Sequence, residues 1–113
     1  MAFPRSVAVA RLSLWVPAEK RVLFARKFNR EWSPLLARHG LVDGQTCPRA
    51  EPAHVFSRLY ALKSPAAIAE IREALMNDAT LTDWICDLGK RYWGYDAEKS
   101  MQSILLFGAY SVP

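Results

Sequence analysis

Residues 54–76 read HVFSRLYALKSPAAIAEIREALM. The first nine alternate by face, with His54, Phe56, Arg58, Tyr60 and Leu62 on one side and Val55, Ser57, Leu59 and Ala61 on the other. That period of two predicts a strand. Ser64-Pro65 then changes the period. A serine ahead of a proline suits a helix start, with the hydroxyl as cap and the ring where its missing N–H is not needed. Ala67, Ile68, Ile71, Ala74 and Leu75 follow at helical spacing.

The same strand-then-helix unit lies upstream. SVAVARLSLWV, at 6–16, also alternates, with Ala8, Ala10, Leu12, Leu14 and Val16 on one face and Val7, Val9, Arg11, Ser13 and Trp15 on the other. Pro17 ends it. From Ala18 to about His39, Phe24, Phe28, Trp32 and Leu36 fall at four-residue steps, the mark of an amphipathic helix. Pro34 interrupts that pattern. Ser33-Pro34 either kinks the helix or starts a new turn with Ser33 as cap. Gly40 suits a helix end, and Arg38 and His39 suit its negative pole.

Leu41 to Cys47 reads as a short strand with a bulge at Gly44, and 48–53 as a polar loop. Beyond 76, Asn77 and Asp78 break the helical pattern, and Thr80 or Thr82 opens a further helical piece to about Tyr92. Ser103 to Val112, SILLFGAYSV, is apolar on both faces, as a central strand is.

Strand, helix, strand, strand, helix, strand is the ferredoxin-like βαββαβ arrangement. The expectation is an α+β fold: one domain over residues 1–113, an antiparallel four-stranded sheet, and helices on one face. A chain of 113 residues is near the commonest domain size. In this reading Val55, Ser57 and Leu59 pack against the helices, and the open face carries Val7, Val9, Trp15 and Phe56. Such an apolar area exceeds what a monomer comfortably exposes. The sequence is also 51% hydrophobic. A homodimer, packed sheet to sheet, is therefore expected.

The formal charge of +4 comes from basic residues dispersed among acidic ones. Nucleic-acid binders concentrate such charge on one face, so no nucleic-acid partner is expected. No apolar run approaches a membrane span, and the N-terminus lacks an export h-region. Cys47 and Cys86 are read as free thiols in a reducing, cytoplasmic setting.

Two stretches carry a family resemblance: WSPLLARHGL at 32–41 and VFSRLYALKSPAAIAEIREALMNDATLTDW at 55–84. In them His39-Gly40, Tyr60, Ser64, Asp78 and Trp84 resemble the pattern of NIPSNAP-like domains. These belong to the dimeric α+β barrel superfamily, which includes the antibiotic-biosynthesis monooxygenase-like proteins. The chain departs from the pattern at Ala79, where a proline often follows the aspartate, and in a shortened segment around the second strand. The resemblance implies a dimeric α+β barrel. It also implies one enzymatic alternative: a cofactor-independent monooxygenase, or an isomerase, acting on an aromatic substrate. Some relatives bind haem through a histidine, but neither His39 nor His54 lies in a matching motif, and no cofactor is expected.

The space between or beneath the sheets is the natural ligand site in such a fold. Its expected binding residues are Arg11, Ser13, Trp15, Phe56, Arg58 and Tyr60, with His54 and Tyr110 as further polar groups. The planar donor forks of Arg11 and Arg58 suit a carboxylate or a phenolate. The plainer alternative is that Arg58 pairs with Glu51 or with an acid of a second copy, and that Tyr60 fills the interface. His54, Arg58 and Tyr60 are the candidate catalytic residues, with His54 as base. A solvent-exposed histidine at a strand start is the alternative for His54. The two histidines and two cysteines, at 39, 47, 54 and 86, lack metal-ligand spacing. The expectation is a protein that binds a small, partly apolar, anionic molecule.

Overall fold

The structure is a computed structural model that describes residues 8–92 and 106–110. β1 (Ala8–Trp15) is the middle strand of a three-stranded antiparallel sheet, with β2 (Val55–Leu62) on one side and β3 (Leu106–Ala109) on the other. After β1 the chain makes one continuous helical run. It comprises a 3-10 turn (Ala18–Lys20), α1 (Arg21–Lys27), a π-helical turn (Phe28–Trp32) and α2 (Ser33–Ala37). α3 (Pro65–Met76) and α4 (Ala79–Tyr92) lie between β2 and β3 in sequence. No helix among the described residues is long and apolar enough to cross a membrane. Ser6, Val7, residues 103–105 and residues 111–112, all expected in strands, lie outside the described residues.

The π turn settles the question at Ser33-Pro34. Ser33 is helical, with φ −59° and ψ −44°, and its N–H reaches back five residues to the carbonyl of Phe28. A proline inside an α-helix clashes with the carbonyl four residues back. One extra residue in the preceding turn relieves that register, so the run continues through Pro34. The same widening serves the core. At 3.6 residues per turn, a four-residue stripe drifts by about 40° per step. The π turn offsets that drift, and Phe24, Phe28, Trp32 and Leu36 are all buried.

The register decides which side of the sheet these residues meet. Tyr60 lies opposite Ala10, Arg58 opposite Leu12, and Phe56 opposite Leu14. Cross-strand partners share a face, and the ring of Phe56 lies 5.0 Å from Phe24 and 4.9 Å from Phe28. Phe56, Arg58 and Tyr60 therefore face the helices. This corrects the sequence reading, which gave them the open face. Val55, Ser57 and Leu59 share the helix-free face with Arg11, Ser13 and Trp15.

A second correction concerns 41–47. This segment is not a strand; it contributes one antiparallel bridge, Gln45 to Leu59. Gly40 at φ 84° and Asp43 at φ 54° turn the backbone out of the extended region, so these residues cannot run along β2.

The residues that follow cross the helix-free face as a strap. Gln45 sits outside β2. The thiol of Cys47 meets the Tyr110 hydroxyl at 3.6 Å, and the Arg49 guanidinium lies 5.4 Å from the Tyr110 ring. Glu51 accepts hydrogen bonds from Arg11 and Ser57, both at 2.5 Å. Beneath the strap Ser13, Val55, Ser57 and Leu59 are buried. The face on which a second copy was expected is thus covered, within one chain, by residues 45–54.

Asp78 joins the two helical halves. One carboxylate oxygen accepts the Leu81 N–H at 3.1 Å, capping α4, and the other meets His39 Nε2 at 2.7 Å. The cap is thus Asp78 rather than Thr80 or Thr82, and His39 anchors this corner in addition to ending its own helix.

Candidate functional site

β2 has β1 along one side and, among the described residues, only the Gln45 bridge along the other. Arg58 and Tyr60 project from this outer strand toward the helices. Between them and the helical run lies a cleft of about 330 Å³, lined also by Phe28, Asn29, Ser33 and Pro34. Ala37, Leu41, Val42, Asp43 and Gly44 complete it. The volume is at the small end of the range for small-molecule sites.

Arg58 supplies the positive charge. Its guanidinium carbon stands 4.3 Å from the centroid of Phe56 and 5.7 Å from that of Phe28. One nitrogen donates to the carbonyl of Ser57 at 2.8 Å. The guanidinium makes no ion pair among the described residues. Glu51, which the sequence offered as its partner, pairs with Arg11 instead. Burial lowers the Arg58 pKa, opposed by the neighbouring Tyr60, yet a guanidinium remains charged near neutrality. A half-buried cation on an aromatic face, with donors to spare, invites an anion.

Tyr60 supplies a hydrogen-bond donor. The residue is 2% exposed, and its hydroxyl has no hydrogen-bond partner among the described residues. Burial pushes its pKa up to about 12, against the pull of Arg58, so at neutral pH the hydroxyl carries its proton. The hydroxyl opens onto the cleft, where a ligand acceptor can take its hydrogen bond. Gly44 lies against this ring: a Cβ there would stand 3.1 Å from the hydroxyl oxygen. Only a glycine lets the 41–45 loop close so near to Tyr60.

The remaining residues proposed from sequence lie on the other side of the sheet. Ser13 and Ser57 share a hydrogen bond at 3.0 Å, and Arg11 Nε donates to Ser57 at 3.2 Å. With Glu51, these side chains satisfy one another under the strap. Trp15 packs edge-on against His54, ring centroids 5.0 Å apart. Tyr110 joins the strap, where burial first and then Cys47 raise the pKa of its phenol. The structure therefore brings together Arg58 and Tyr60, with Phe56 behind them. It separates them from Arg11, Ser13, Trp15 and His54. Among the described residues no group of three or more His, Cys, Asp or Glu gathers in metal-binding range.

Sequence reasoning missed Phe28, Asn29, Ser33, Asp43 and Gly44 as parts of the site. Asp-Gly is a turn signal, and at 43–44 it marks where the chain leaves the helical run to close the cleft. Phe28 and Asn29 carried no such signal, because their place depends on the π turn.

Set against protein-family models, curated proteins and solved structures, the chain matches none of them.

Proposed function

We propose that this protein binds a small, partly apolar anion, an aromatic carboxylate or a phenolate, in the cleft beside Arg58 and Tyr60. One observation carries the reading: a half-buried arginine without a carboxylate partner and a tyrosine hydroxyl without a partner among the described residues line the same cleft. The guanidinium and the phenolic O–H both donate, and Phe28, Pro34 and Leu41 offer apolar walls. Anion binding there would engage the remaining donors of Arg58 and the Tyr60 hydroxyl.

Two observations favour binding over the monooxygenase or isomerase alternative. His54, the base that turnover would use, packs against Trp15 away from the cleft. Tyr60, at about 12, donates a proton in a hydrogen bond but does not accept one near neutrality.

We propose also that the fold is a reduced ferredoxin-like one. The last strand lies against the first, and the Gln45 bridge sits outside β2 where a fourth strand would run. The homodimer is carried as part of this reading, with the strap inside its interface. Native mass spectrometry at micromolar concentration would remove it by finding monomer alone.

The test of binding is an NMR titration with benzoate. Shifts are expected at Asn29, Gly44 and Tyr60, with Arg58→Gln weakening binding at least tenfold and Tyr60→Phe several-fold. Absence of binding at millimolar benzoate, or equal affinity in Arg58→Gln, overturns the proposal.

A further inference from the structure

The cleft holds an anion as well as a cation. Asp43 lines it together with Arg58, and the two make no ion pair with each other. Nor does the Asp43 side chain hydrogen-bond to any described residue; its only such contact is through its backbone carbonyl, which accepts from Gln45 at 3.2 Å. Opposite charges that share a cleft and stand farther apart than an ion pair leave a gap that a ligand can bridge.

Asp43 is exposed at the rim of the cleft, next to the contact between Gly44 and Tyr60. Gly44 lies against the Tyr60 ring, so the Asp43 carboxylate is rooted one residue, about 3.8 Å along the backbone, from that contact. Its left-handed backbone, φ 54°, is one that aspartate and asparagine tolerate. The second, independent sign of a ligand is Tyr60 itself, 2% exposed and lacking a partner for its hydroxyl among the described residues.

We infer that the ligand is amphoteric: a small molecule whose carboxylate or phenolate meets Arg58 and Tyr60, and whose protonated amine meets Asp43. This rests on the anion-binding reading above and narrows its substrate class to amine-bearing acids. A purely anionic ligand would gain from Arg58 but would leave Asp43 facing its own negative charge. An amine on the same molecule turns that repulsion into an attraction, so Asp43 selects among anions that Arg58 alone would treat alike.

Three probes separate the possibilities: benzoate, 4-(aminomethyl)benzoate and benzylamine, each titrated by NMR against the parent, Asp43→Asn and Arg58→Gln. Asparagine keeps the backbone conformation, so Asp43→Asn tests charge alone. The amino acid probe is expected to bind the parent at least fivefold more tightly than benzoate. Asp43→Asn should remove that preference while benzoate binds no worse, and benzylamine alone should bind weakest. Equal affinity of the two acids for the parent, or a preference that survives Asp43→Asn, overturns the amphoteric inference and leaves anion binding standing. Benzoate affinity that Arg58→Gln does not change overturns both.

Discussion

Gly44 lies against the ring of Tyr60 so closely that a methyl group at residue 44 would stand 2.9 Å from Cε1. The ring is buried, so it has little room to give way. Gly44→Ala should therefore destabilise the protein by about 1–3 kcal/mol, the usual cost of overpacking. Urea denaturation checks this. A midpoint equal to that of the parent would mean that the 41–45 loop moves aside freely and that this contact does not shape the cleft.

Tyr60 also makes an alkaline prediction. Its pKa is raised from 10.0 to about 12 in the folded chain. Between those values the folded state holds a proton that the unfolded state has lost, so stability falls as pH rises. At about 1.4 kcal/mol per pKa unit, the loss across this window should be of the order of 2 kcal/mol. Tyr60→Phe removes the titrating group. Its stability should decline less than the parent's from pH 10 to 12, and denaturation curves at the two ends measure the difference.

How much of this was legible in advance varies by element. Ser64-Pro65 placed the start of α3, although the Ser64 hydroxyl makes no cap hydrogen bond and Pro65 alone marks the first turn, and the Asn77-Asp78 break separated it from α4, because helix signals are local. The faces of β2 were not legible. Both of its alternating sets hold large apolar residues and one polar group, Phe56, Arg58 and Tyr60 against Val55, Ser57 and Leu59. Period two sorts side chains into sets without saying which set meets the helices. Only the pairing of Leu12 with Arg58 decides that. Once the faces exchanged, half of the proposed site left for the strap and the other half became the cleft.

The pair of His39 and Asp78 gives an acid prediction. The His39 hydrogen bond, and then the Leu81 N–H, hold the Asp78 carboxyl below its ordinary pKa of 3.8. A depressed folded pKa stabilises above the unfolded value and is lost as pH falls through the folded one. Stability at this corner should hold down to about pH 4 and decline below it. Asp78→Ala should lower stability by about 1 kcal/mol at neutral pH, as loss of a helix cap does, and should flatten the acid limb. An unchanged limb in a pH series of thermal melts would assign the acid sensitivity elsewhere.

Glu51 fastens the strap, and Cys47 reports on it. Cys86 is exposed and Cys47 buried, so a thiol reagent should modify Cys86 first. Glu51→Ala leaves Arg11 and Ser57 without their acceptor and should cost about 1–3 kcal/mol. It should also speed the modification of Cys47 several-fold. Mass spectrometry of the labelled protein resolves the two sites. Unchanged Cys47 labelling would mean that Glu51 does not hold the strap down.

Along its outer side β2 is only partly paired: besides the Gln45 bridge, the Val55 N–H donates to the Pro52 carbonyl at 3.0 Å and the Ser57 carbonyl accepts from Arg58 at 2.8 Å. An open strand edge of this kind is a template on which further chains can stack. A charge placed on such a strand discourages that stacking, because a chain adding there must desolvate it. Arg58 is such a charge, so Arg58→Leu should raise self-aggregation, which light scattering at rising concentration would read.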